Sequence, residues 1–379
     1  MTEEPLIYID DLDLRFYTYE GIVEALDKVR LYIKDGETLG VVGETGCGKS
    51  MTGFSELRLV PPPGRIEGGK ILLRKDGKWL DVLRQKEAYL RTVRGKEISM
   101  IFQDPKSALN PVYTVRHQIA EAILYHRLKE LCGRILEDNR TGKVTLSNFE
   151  KKMLERMLRN PKALGARFAS KIPFLRSFRR KLDNEVKKEV IRMLKDMRIP
   201  DPERVAEMYP HELSGGMAQR VVIAIALSCN PRLLIADEPT TNLDVTIQLQ
   251  ILTLIRDLKK EYGTTIQYIT HDMGIIAEMC DRVAVMYAGN IVEVADVIEI
   301  FKNPLHPYTK ALLECIPRPG CAFKSIEGTV PSLISPPTGC RFNDRCSHAM
   351  DICVKQKPDF VRAKEDHYVH CHLYAGESK

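Results

Sequence analysis

Hydrophobic and polar residues alternate along the first part of the chain. Val29, Leu31 and Ile33 are separated by polar residues, a period of two that is typical of a strand with one buried face. The short, largely apolar run at 38–42 predicts a buried strand, and residues 66–100 return to strand and turn patterns. The amino-terminal hundred residues therefore predict mainly strands, with one helix beginning at about Lys49.

The pattern changes to helical spacing between about residues 113 and 209. Residues 116–131 and 185–197 carry apolar side chains at helical intervals among many charges. Strands and helices alternate again from 221 to 301. In that region strands are predicted at 233–236, 265–269 and 283–286, with a hairpin turn at 288–290. This order indicates an α/β domain into which a helical segment is inserted.

The composition shifts after about residue 301. Prolines and turn-forming residues crowd positions 303–338, which is typical of a linker or a small irregular domain. We therefore expect one domain at 1–301, with a helical subdomain at about 106–215, and a carboxyl-terminal extension at 302–379.

The net charge of the chain excludes few classes of protein, but the charged residues are unevenly distributed. The formal net charge is +6, which is too mild to indicate nucleic-acid binding. Residues 127–192 alone hold nineteen Lys and Arg against eight Asp and Glu. No apolar run approaches the roughly 20 residues that a membrane-spanning helix needs, and the start of the chain is acidic, unlike a secretory signal. We expect a cytosolic protein that reaches a membrane only through partners.

The clearest chemical motif is a glycine-rich loop between an apolar strand and a helix. Its sequence fits the pattern G-x-x-x-x-G-K-S. In such loops backbone N–H groups surround phosphate oxygens, the lysine reaches the β- and γ-phosphates, and the serine hydroxyl binds Mg²⁺. The predicted nucleotide-binding residues are Gly43, Glu44, Thr45, Gly46, Cys47, Gly48, Lys49, Ser50 and Met51.

Two acids follow the apolar strand predicted at 233–236. A buried strand that ends at the edge of a sheet can hold a carboxylate rigidly. We expect Asp237 to hold Mg²⁺ and Glu238 to orient or deprotonate the attacking water. Together with the glycine-rich loop, these acids predict an ATPase.

Further motifs resemble those of one ATPase family. The run Leu213, Ser214, Gly215, Gly216 and Met217 resembles the signature motif of ABC ATPases. In the same order, Gln103 is similar to the Q-loop residue, Asp244 to the D-loop aspartate and His271 to the switch histidine. Tyr19 or Tyr17 is a candidate for stacking on adenine, and the spacing leaves that choice open.

The resemblance implies a fold and a mechanism. The fold would be α/β, a P-loop (RecA-like) ABC ATPase core with an amino-terminal antiparallel β subdomain, an inserted helical subdomain and a small cysteine-rich carboxyl-terminal extension. Two such domains would enclose two ATP molecules, each between the phosphate loop of one and the signature motif of the other. The resemblance implies catalytic roles for Glu238, His271 and Gln103, and Mg²⁺ ligation by Ser50, Gln103 and Asp237.

The tail resembles a more specific group. Residues 305–309, Leu-His-Pro-Tyr-Thr, are similar to the carboxyl-terminal extension of dipeptide and oligopeptide ABC import ATPases. Four cysteines in the later part are spaced C-x5-C-x6-C-x17-C, a set of thiols that could hold zinc or an iron–sulfur cluster, or remain unligated. The resemblance implies a 4Fe-4S cluster, with Zn²⁺ as the alternative, on Cys340, Cys346, Cys353 and Cys371.

The resemblance also implies partners and a location. It implies a subunit that hydrolyses ATP to power the import of peptides, or of a related solute such as an oligosaccharide. Such a subunit would pair with two transmembrane permease subunits and with a second, homologous ATPase subunit, for which a heterodimer is expected and a homodimer remains open. It would lie on the cytoplasmic face of the membrane and act indirectly with an extracytoplasmic solute-binding protein, without nucleic acid. The alternatives are a soluble ABC ATPase acting in translation or DNA repair, and a redox or sensor protein built on the cysteine site.

The basic stretch within the helical segment suggests an additional contact. One hypothesis places its cations near anionic lipid headgroups or the cytosolic face of a permease. The alternative is a solvated pair of charged helices. The cations concerned are Lys171, Arg176, Arg179, Arg180 and Lys181.

Overall fold

The strands of the computed structural model follow the predicted pattern closely. The structure describes residues 4–159, 176–317 and 325–375, without the side chains of residues 176–179. The described strands are β1 Pro5–Thr18, β2 Gly21–Lys34, β3 Thr38–Val42, β4 Gly64–Lys75, β5 Lys78–Asp81, β6 Ile98–Ile101, β7 Leu233–Asp237, β8 Thr265–Thr270, β9 Arg282–Tyr287, β10 Asn290–Asp296, β11 Phe360–Lys364 and β12 His367–His370.

The helices are concentrated in the middle of the chain, as the spacing predicts. The described α-helices are α1 Lys49–Glu56, α2 Glu87–Val93, α3 Pro105–Ala108, α4 Val115–Arg140, α5 Asn148–Arg159, α6 Arg176–Asp196, α7 Pro202–Glu207, α8 Gly215–Leu227, α9 Val245–Tyr262, α10 Met273–Met279, α11 Val297–Lys302, α12 Pro307–Glu314 and α13 Asp351–Lys355.

Two units share the chain. The first comprises Met1–Arg91, Arg232–Glu238 and Ile255–Lys379, and the second comprises Thr92–Pro231 and Pro239–Leu254. The catalytic loops predicted from the sequence are divided between them.

One sheet of the first unit is antiparallel and has the order β2-β1-β4-β5. Strands β1 and β2 pair along almost their whole length, from Pro5 opposite Lys34 to Thr18 opposite Gly21. The alternating residues Val29, Leu31 and Ile33 of β2 are buried, which confirms the two-residue period. Burial of this apolar face stabilises the sheet.

The other strands of the first unit include a parallel set in the order β9-β3-β8-β7. Every residue of these four strands is buried, because helices cover both faces of a parallel sheet, and the strand sequences are accordingly mostly apolar. The carboxyl ends of parallel strands meet at one edge. Here the ends of β3, β7 and β8 lead directly into the glycine-rich loop, the two acids and His271.

The tail adds strands to this sheet, which the sequence reading missed. β10 follows β9 in the predicted hairpin, and β12 then pairs with β10, with Glu293 opposite Val369. β11 pairs with β12. The signal was present but short: two apolar-polar runs flank a turn containing Asp366, whose φ is 51°. The extension therefore continues the core sheet.

A helix also lies where strands and turns were predicted. Within residues 66–100, α2 forms because Leu90 and Val93, three residues apart, both bury their side chains. A seven-residue helix contains too few periods for its pattern to be separated from that of neighbouring strands.

The helical part of the second unit has its own small core. Side chains from α4, α5 and α6 enclose it, and Arg127 and Arg134 of α4 both pair at 2.8 Å with the buried carboxylate of Glu189 on α6. A buried carboxylate with two guanidinium partners fixes the two helices against each other. The core residues are Cys132, Ile135, Leu146, Leu154 and Met157.

The basic stretch is only partly available for a surface role. Lys181 donates to the Thr145 carbonyl and to the carboxylate of Glu150, both at 2.8 Å, so this cation links helices α5 and α6 internally. Arg180 is exposed. Lys171 and the side chains of Arg176 and Arg179 lie outside the described residues.

Within the described part of the chain, no helix combines the length and apolar content required to cross a bilayer.

Candidate functional site

The glycine-rich loop is tightly packed against the first unit. It connects β3 to α1, and Gly48 caps the helix with a φ of 103°, a left-handed conformation that favours glycine. A Cβ on Gly48 would lie 2.8 Å from the Ala25 carbonyl oxygen, and a Cβ on Gly43 would lie 2.0 Å from the carbonyl oxygen of Met286. At Gly43 and Gly48 the loop therefore lies so close to neighbouring backbone that a residue with a Cβ would not fit.

Lys49 extends back across this loop. Its ammonium donates to the Gly43 carbonyl at 2.9 Å and to the Glu44 carbonyl at 3.0 Å, and only 5% of the residue is exposed. The helix that begins at Lys49 directs its amino-terminal N–H groups to the same place. A fixed cation and a helix amino terminus together form a site for a phosphate group.

Cys47 contributes backbone rather than thiol chemistry. Its side chain is buried, and this burial raises the pKa of the thiol, so the sulfur stays protonated. Its carbonyl accepts the N–H of Gly289 at 2.8 Å, which ties the loop to the hairpin between β9 and β10.

Ser50 and Asp237 form a pair of oxygen donors. The Ser50 hydroxyl donates to Asp237 Oδ1 at 2.9 Å. Burial, with a smaller contribution from the neighbouring Glu238 charge, raises the pKa of Asp237 to about 6, against the effect of the Ser50 hydrogen bond. A hydroxyl and a carboxylate are hard oxygen ligands, so the pair fits a Mg²⁺ ion.

Glu238 has an unusual backbone conformation, and its side chain contacts His271. Its φ is 44°, in the left-handed region that costs a non-glycine residue free energy. Its N–H donates to the Ile269 carbonyl at 2.9 Å, and its carboxylate lies 3.0 Å from His271 Nδ1. The chain thus turns sharply after Asp237 and directs the two acids to different places.

The first unit therefore brings together a large part of the predicted site. Lys49, Ser50, Asp237, Glu238 and His271 are connected by the contacts described above. A magnesium-dependent nucleotide hydrolase requires this arrangement: a phosphate-binding loop, a pair of oxygen ligands for Mg²⁺ and a positioned carboxylate.

The signature residues belong to the second unit. Ser214 caps helix α8, where its hydroxyl accepts the Met217 N–H at 3.3 Å. Gly215 and Gly216 are the first helical residues, and a Cβ on Gly216 would lie 2.9 Å from Ile247. Leu213, just before the cap, is buried. The amino-terminal end of α8 offers N–H groups that could donate hydrogen bonds to an anion.

The remaining predicted loops also lie in the second unit. Asp244 is exposed and caps helix α9 by accepting the Ile247 N–H at 3.0 Å. Gln103 is an exposed residue just after β6. Their predicted roles remain predictions.

The geometry separates the two candidate aromatic residues. Tyr17 donates its hydroxyl to Glu67 at 2.9 Å, and the Arg65 guanidinium lies 5.2 Å from the centre of its ring. Tyr19 projects from the turn between β1 and β2 with a relative exposure of 111%. An exposed ring face is what stacking on a base requires, so Tyr19 is the better candidate.

The structure corrects the prediction of a metal site at the four cysteines of the tail. Among residues 4–159, 176–317 and 325–375, no group of three or more His, Cys, Asp or Glu side chains could hold a metal ion, so the predicted 4Fe-4S cluster and its Zn²⁺ alternative are wrong. Burial raises the pKa of Cys340 to about 11 and also raises the pKa of Cys346 and Cys371. Burial thus favours the neutral form of these three thiols in the folded tail.

These cysteines and their histidine neighbours have structural contacts instead. The Cys340 N–H donates to the Cys353 carbonyl at 2.7 Å, and the Cys353 sulfur accepts the Met350 N–H. His370 contacts the Ile291 carbonyl at 3.1 Å. The spacing that resembles a ligand set therefore serves the packing of the tail.

Sequence reasoning missed two residues that contact the phosphate loop. Tyr308 accepts the Glu44 N–H, and Arg345 pairs with the Glu44 carboxylate. Both lie in the extension, and neither has a local signal that predicts this contact.

Comparison with protein families gives two matches. The ABC transporter family model matches residues 26–241, which include the phosphate loop, the signature motif and the two acids. A model described as the oligopeptide/dipeptide transporter C-terminal region matches residues 292–353.

Curated relatives match along nearly the whole chain. A probable peptide ABC transporter ATP-binding protein of Sinorhizobium fredii is 42% identical over 371 residues, which cover 97% of this chain and 94% of the relative. The dipeptide transport ATP-binding protein DppD of Bacillus subtilis is 40% identical over 374 residues, covering 98% and 95%. The oligopeptide transport ATP-binding protein OppD of the same organism is 42% identical over 370 residues, covering 96% and 87%.

Solved structures agree on the fold. An ATP-binding cassette solved as a dimer in a post-hydrolysis state with ADP and phosphate has a TM-score of 0.55 at 23% identity, covering 77% of this chain and 98% of that one. The protein cbiO1 of Clostridium perfringens, part of an ABC transporter complex, has a TM-score of 0.52 at 26% identity, covering 79% and 92%.

Proposed function

This chain belongs to the ABC transporter ATPases, and from that premise we propose that it hydrolyses ATP to drive peptide import through separate membrane-spanning partners. The observation that carries the proposal is the group formed by the phosphate loop, the Ser50–Asp237 pair at 2.9 Å and the Glu238–His271 pair at 3.0 Å. These are the elements of a magnesium-dependent ATPase.

The residues divide the chemistry among themselves. The loop backbone and Lys49 would bind the β- and γ-phosphates, and Ser50 and Asp237 would hold Mg²⁺, which supplies positive charge to neutralise the phosphates. Glu238 accepts a hydrogen bond from the attacking water and orients it toward the γ-phosphate. His271, 3.0 Å from that carboxylate, holds it in place.

A second ATPase subunit would complete the site. Ser214 and the glycines after it offer a small hydroxyl and unobstructed N–H groups at a helix start, which suits a γ-phosphate presented by a partner. We propose a pair of related subunits in which each signature motif covers the nucleotide of the other, with Asp244 at their contact. Gln103 would contact Mg²⁺ and transmit closure to the membrane partner, and Tyr19 would stack on adenine.

The peptide cargo is supported by the relatives and the tail. The relatives named above are peptide, dipeptide and oligopeptide transport ATP-binding proteins, and the extension matches the corresponding transporter region. We propose two permease subunits, an extracytoplasmic peptide-binding protein as an indirect partner, and a position on the cytoplasmic face of the membrane. The relatives do not favour the alternative of an ABC ATPase acting in translation or DNA repair.

ATP hydrolysis in proteoliposomes that contain the subunit with its permeases tests this function. Peptide-loaded binding protein is expected to stimulate hydrolysis by the wild type, and Glu238→Gln is expected to reduce the rate by at least about 100-fold. ATP binding should persist in the variant because the loop and Lys49 are unchanged. Hydrolysis that ignores both the permeases and the binding protein would contradict the import function.

A further inference from the structure

Two side chains of the carboxyl-terminal extension contact the second residue of the phosphate loop. The Tyr308 hydroxyl accepts the Glu44 N–H at 3.0 Å. Arg345 Nη1 donates to both carboxylate oxygens of Glu44, at 3.0 and 3.2 Å. These residues follow Glu44 by 264 and 301 positions, so only the folded tail brings them to the loop.

Both contacts are built into buried structure. The Tyr308 ring is fully buried, with its centre 4.6 Å from that of Tyr287 and 5.4 Å from that of Phe342. The Arg345 side chain is only 6% exposed, and its Nε donates to the Glu327 carbonyl at 2.8 Å. The hydroxyl and the guanidinium are therefore fixed in position before any nucleotide arrives.

The charges give this contact a consequence for ligand binding. Glu44 is a carboxylate in a loop that would bind a polyphosphate, so an unpaired charge there would repel the ligand. Arg345 neutralises this carboxylate and holds it toward the tail. Because the pair is largely shielded from solvent, salt screens it less than a surface pair.

The same tail segment reaches the loop at a second place. Arg341 is buried and donates to the Ala288 carbonyl and, at 2.8 Å, to the Glu24 carboxylate. The next residue of that hairpin turn, Gly289, donates its N–H to the Cys47 carbonyl at 2.8 Å. The tail thus contacts Glu44 directly and supports Cys47 through the turn.

We propose that Tyr308 and Arg345 are positioning residues of the nucleotide site, through which the carboxyl-terminal extension sets the affinity of the phosphate loop for ATP. The extension is then part of the ATPase and not only an attachment to it. This inference rests on the proposed function, since it takes ATP as the ligand of the loop.

Removing each charge of the Arg345–Glu44 pair in turn distinguishes an electrostatic role of the pair from a purely structural one. Arg345→Met leaves the Glu44 carboxylate unpaired, whereas Glu44→Gln leaves the arginine unpaired. The first change should weaken MgATP binding about three- to tenfold, and the second should strengthen it by a similar factor. The double variant should return close to the wild-type affinity, because neither charge remains.

The measurement is a titration of each full-length variant with a fluorescent ATP analogue and Mg²⁺, at low and high salt, beside the thermal unfolding midpoint. Arg362→Met is the matched control, since it removes an exposed arginine of the same extension and should leave the affinity unchanged. Tyr308→Phe keeps the buried ring and removes only the acceptor of the Glu44 N–H. It should weaken binding with little salt dependence, and it tests the proposal even where Arg345→Met fails to fold.

The outcomes separate the two proposals. Opposite shifts with recovery in the double variant support the tail as part of the site. Wild-type affinity in both Arg345→Met and Tyr308→Phe would overturn this inference and leave the ATPase function standing, as would equal weakening by Arg345→Met and Glu44→Gln without recovery. A wild type that binds no ATP would overturn both.

Discussion

At the scale of single residues, the nucleotide site depends on close approach and on strain. Gly43 lies where even one added carbon would meet the Met286 carbonyl, and Glu238 adopts a φ of 44° that is unfavourable for its type. Strain of this kind persists where surrounding contacts hold it. Here the Ile269 carbonyl and His271 hold Glu238.

Two glycines of the loop should therefore respond differently to the same substitution. Gly43→Ala is expected to cost about 2–4 kcal/mol of unfolding free energy, because backbone and not a flexible side chain obstructs its Cβ. Gly46→Ala meets no atom within 4 Å and should cost about 1 kcal/mol for its φ of 80°. Chemical denaturation checks this, and equal losses would contradict the packing of Gly43.

The ligand-binding residues of the loop were predictable from the sequence, whereas the residues of the tail that contact the loop were not. Lys49 and Ser50 belong to a local motif whose spacing alone predicts phosphate and metal binding. Tyr308 and Arg345 reach Glu44 across more than 260 residues. Contacts at such separation depend on the fold, which local patterns do not encode.

At the scale of elements, helix α1 carries an unexpected buried acid. Glu56, its last residue, is fully buried beside Gln267 of β8, and burial raises the pKa of this carboxyl to about 8. The folded protein therefore keeps Glu56 protonated at neutral pH. The unfolded chain ionises it near the ordinary value of about 4.3.

This difference predicts a pH dependence of stability. Between about pH 5 and 8 the folded state holds a proton that the unfolded state has lost, so stability falls as the pH rises. Glu56→Gln removes this titrating group. The unfolding free energy of the variant should therefore fall less steeply with pH than that of the wild type, and the two slopes should differ by about 1.4 kcal/mol per pH unit.

Chemical denaturation of the wild type, of Glu56→Gln and of a control variant at pH 5, 6, 7 and 8 measures how the unfolding free energy changes with pH. Glu155→Gln, at an exposed position, is the control and should leave the slope unchanged. Identical slopes for the wild type and Glu56→Gln would show that Glu56 ionises normally in the folded chain.

Elements with long or fully apolar patterns were predictable, and short ones were not. The parallel strands follow their apolar runs, and α4 follows its helical spacing. Helix α2 and strands β11 and β12 span only four to seven residues each, too few for periodicity to decide between alternatives.

At the scale of the whole molecule, a single carboxylate fastens the tail to the core sheet of the first unit. Glu293 of β10 is fully buried and accepts the N–H groups of Leu305 and His306 at 2.8 and 2.9 Å. His367 of β12 lies 2.8 Å from the same carboxylate. Two distant parts of the extension thus meet at one side chain of the core sheet.

Removal of this carboxylate should loosen the extension. Glu293→Ala leaves the Leu305 N–H and two buried groups, the His306 N–H and the His367 ring, without this partner and should cost about 3 kcal/mol or more. Glu299→Ala removes a partly exposed acid of α11 that pairs with Lys364 at 3.5 Å and should cost under about 1 kcal/mol. Limited proteolysis should cleave the Glu293 variant first after residue 302, and identical patterns for the two variants would contradict the anchoring role.

The cysteine spacing shows where sequence reasoning failed at this scale. Four cysteines in an irregular tail resemble a ligand set, but spacing along the chain does not reveal where the folded tail places their side chains. Among the residues that the structure describes, no group of these side chains could hold a metal ion, and the backbone N–H of Cys340 donates to the Cys353 carbonyl instead. Ligand geometry is a property of the fold and not of the intervals along the chain.

Uptake of a labelled peptide tests the import function most directly. The transporter, reconstituted with its permeases and peptide-loaded binding protein, would receive ATP on the side of the ATPase subunits. Wild type is expected to accumulate labelled peptide only with ATP and Mg²⁺, and Glu238→Gln should abolish accumulation while still binding ATP. Peptide accumulation that continues in the Glu238→Gln complex, or that needs no ATP, would contradict the assignment of this chain as the motor.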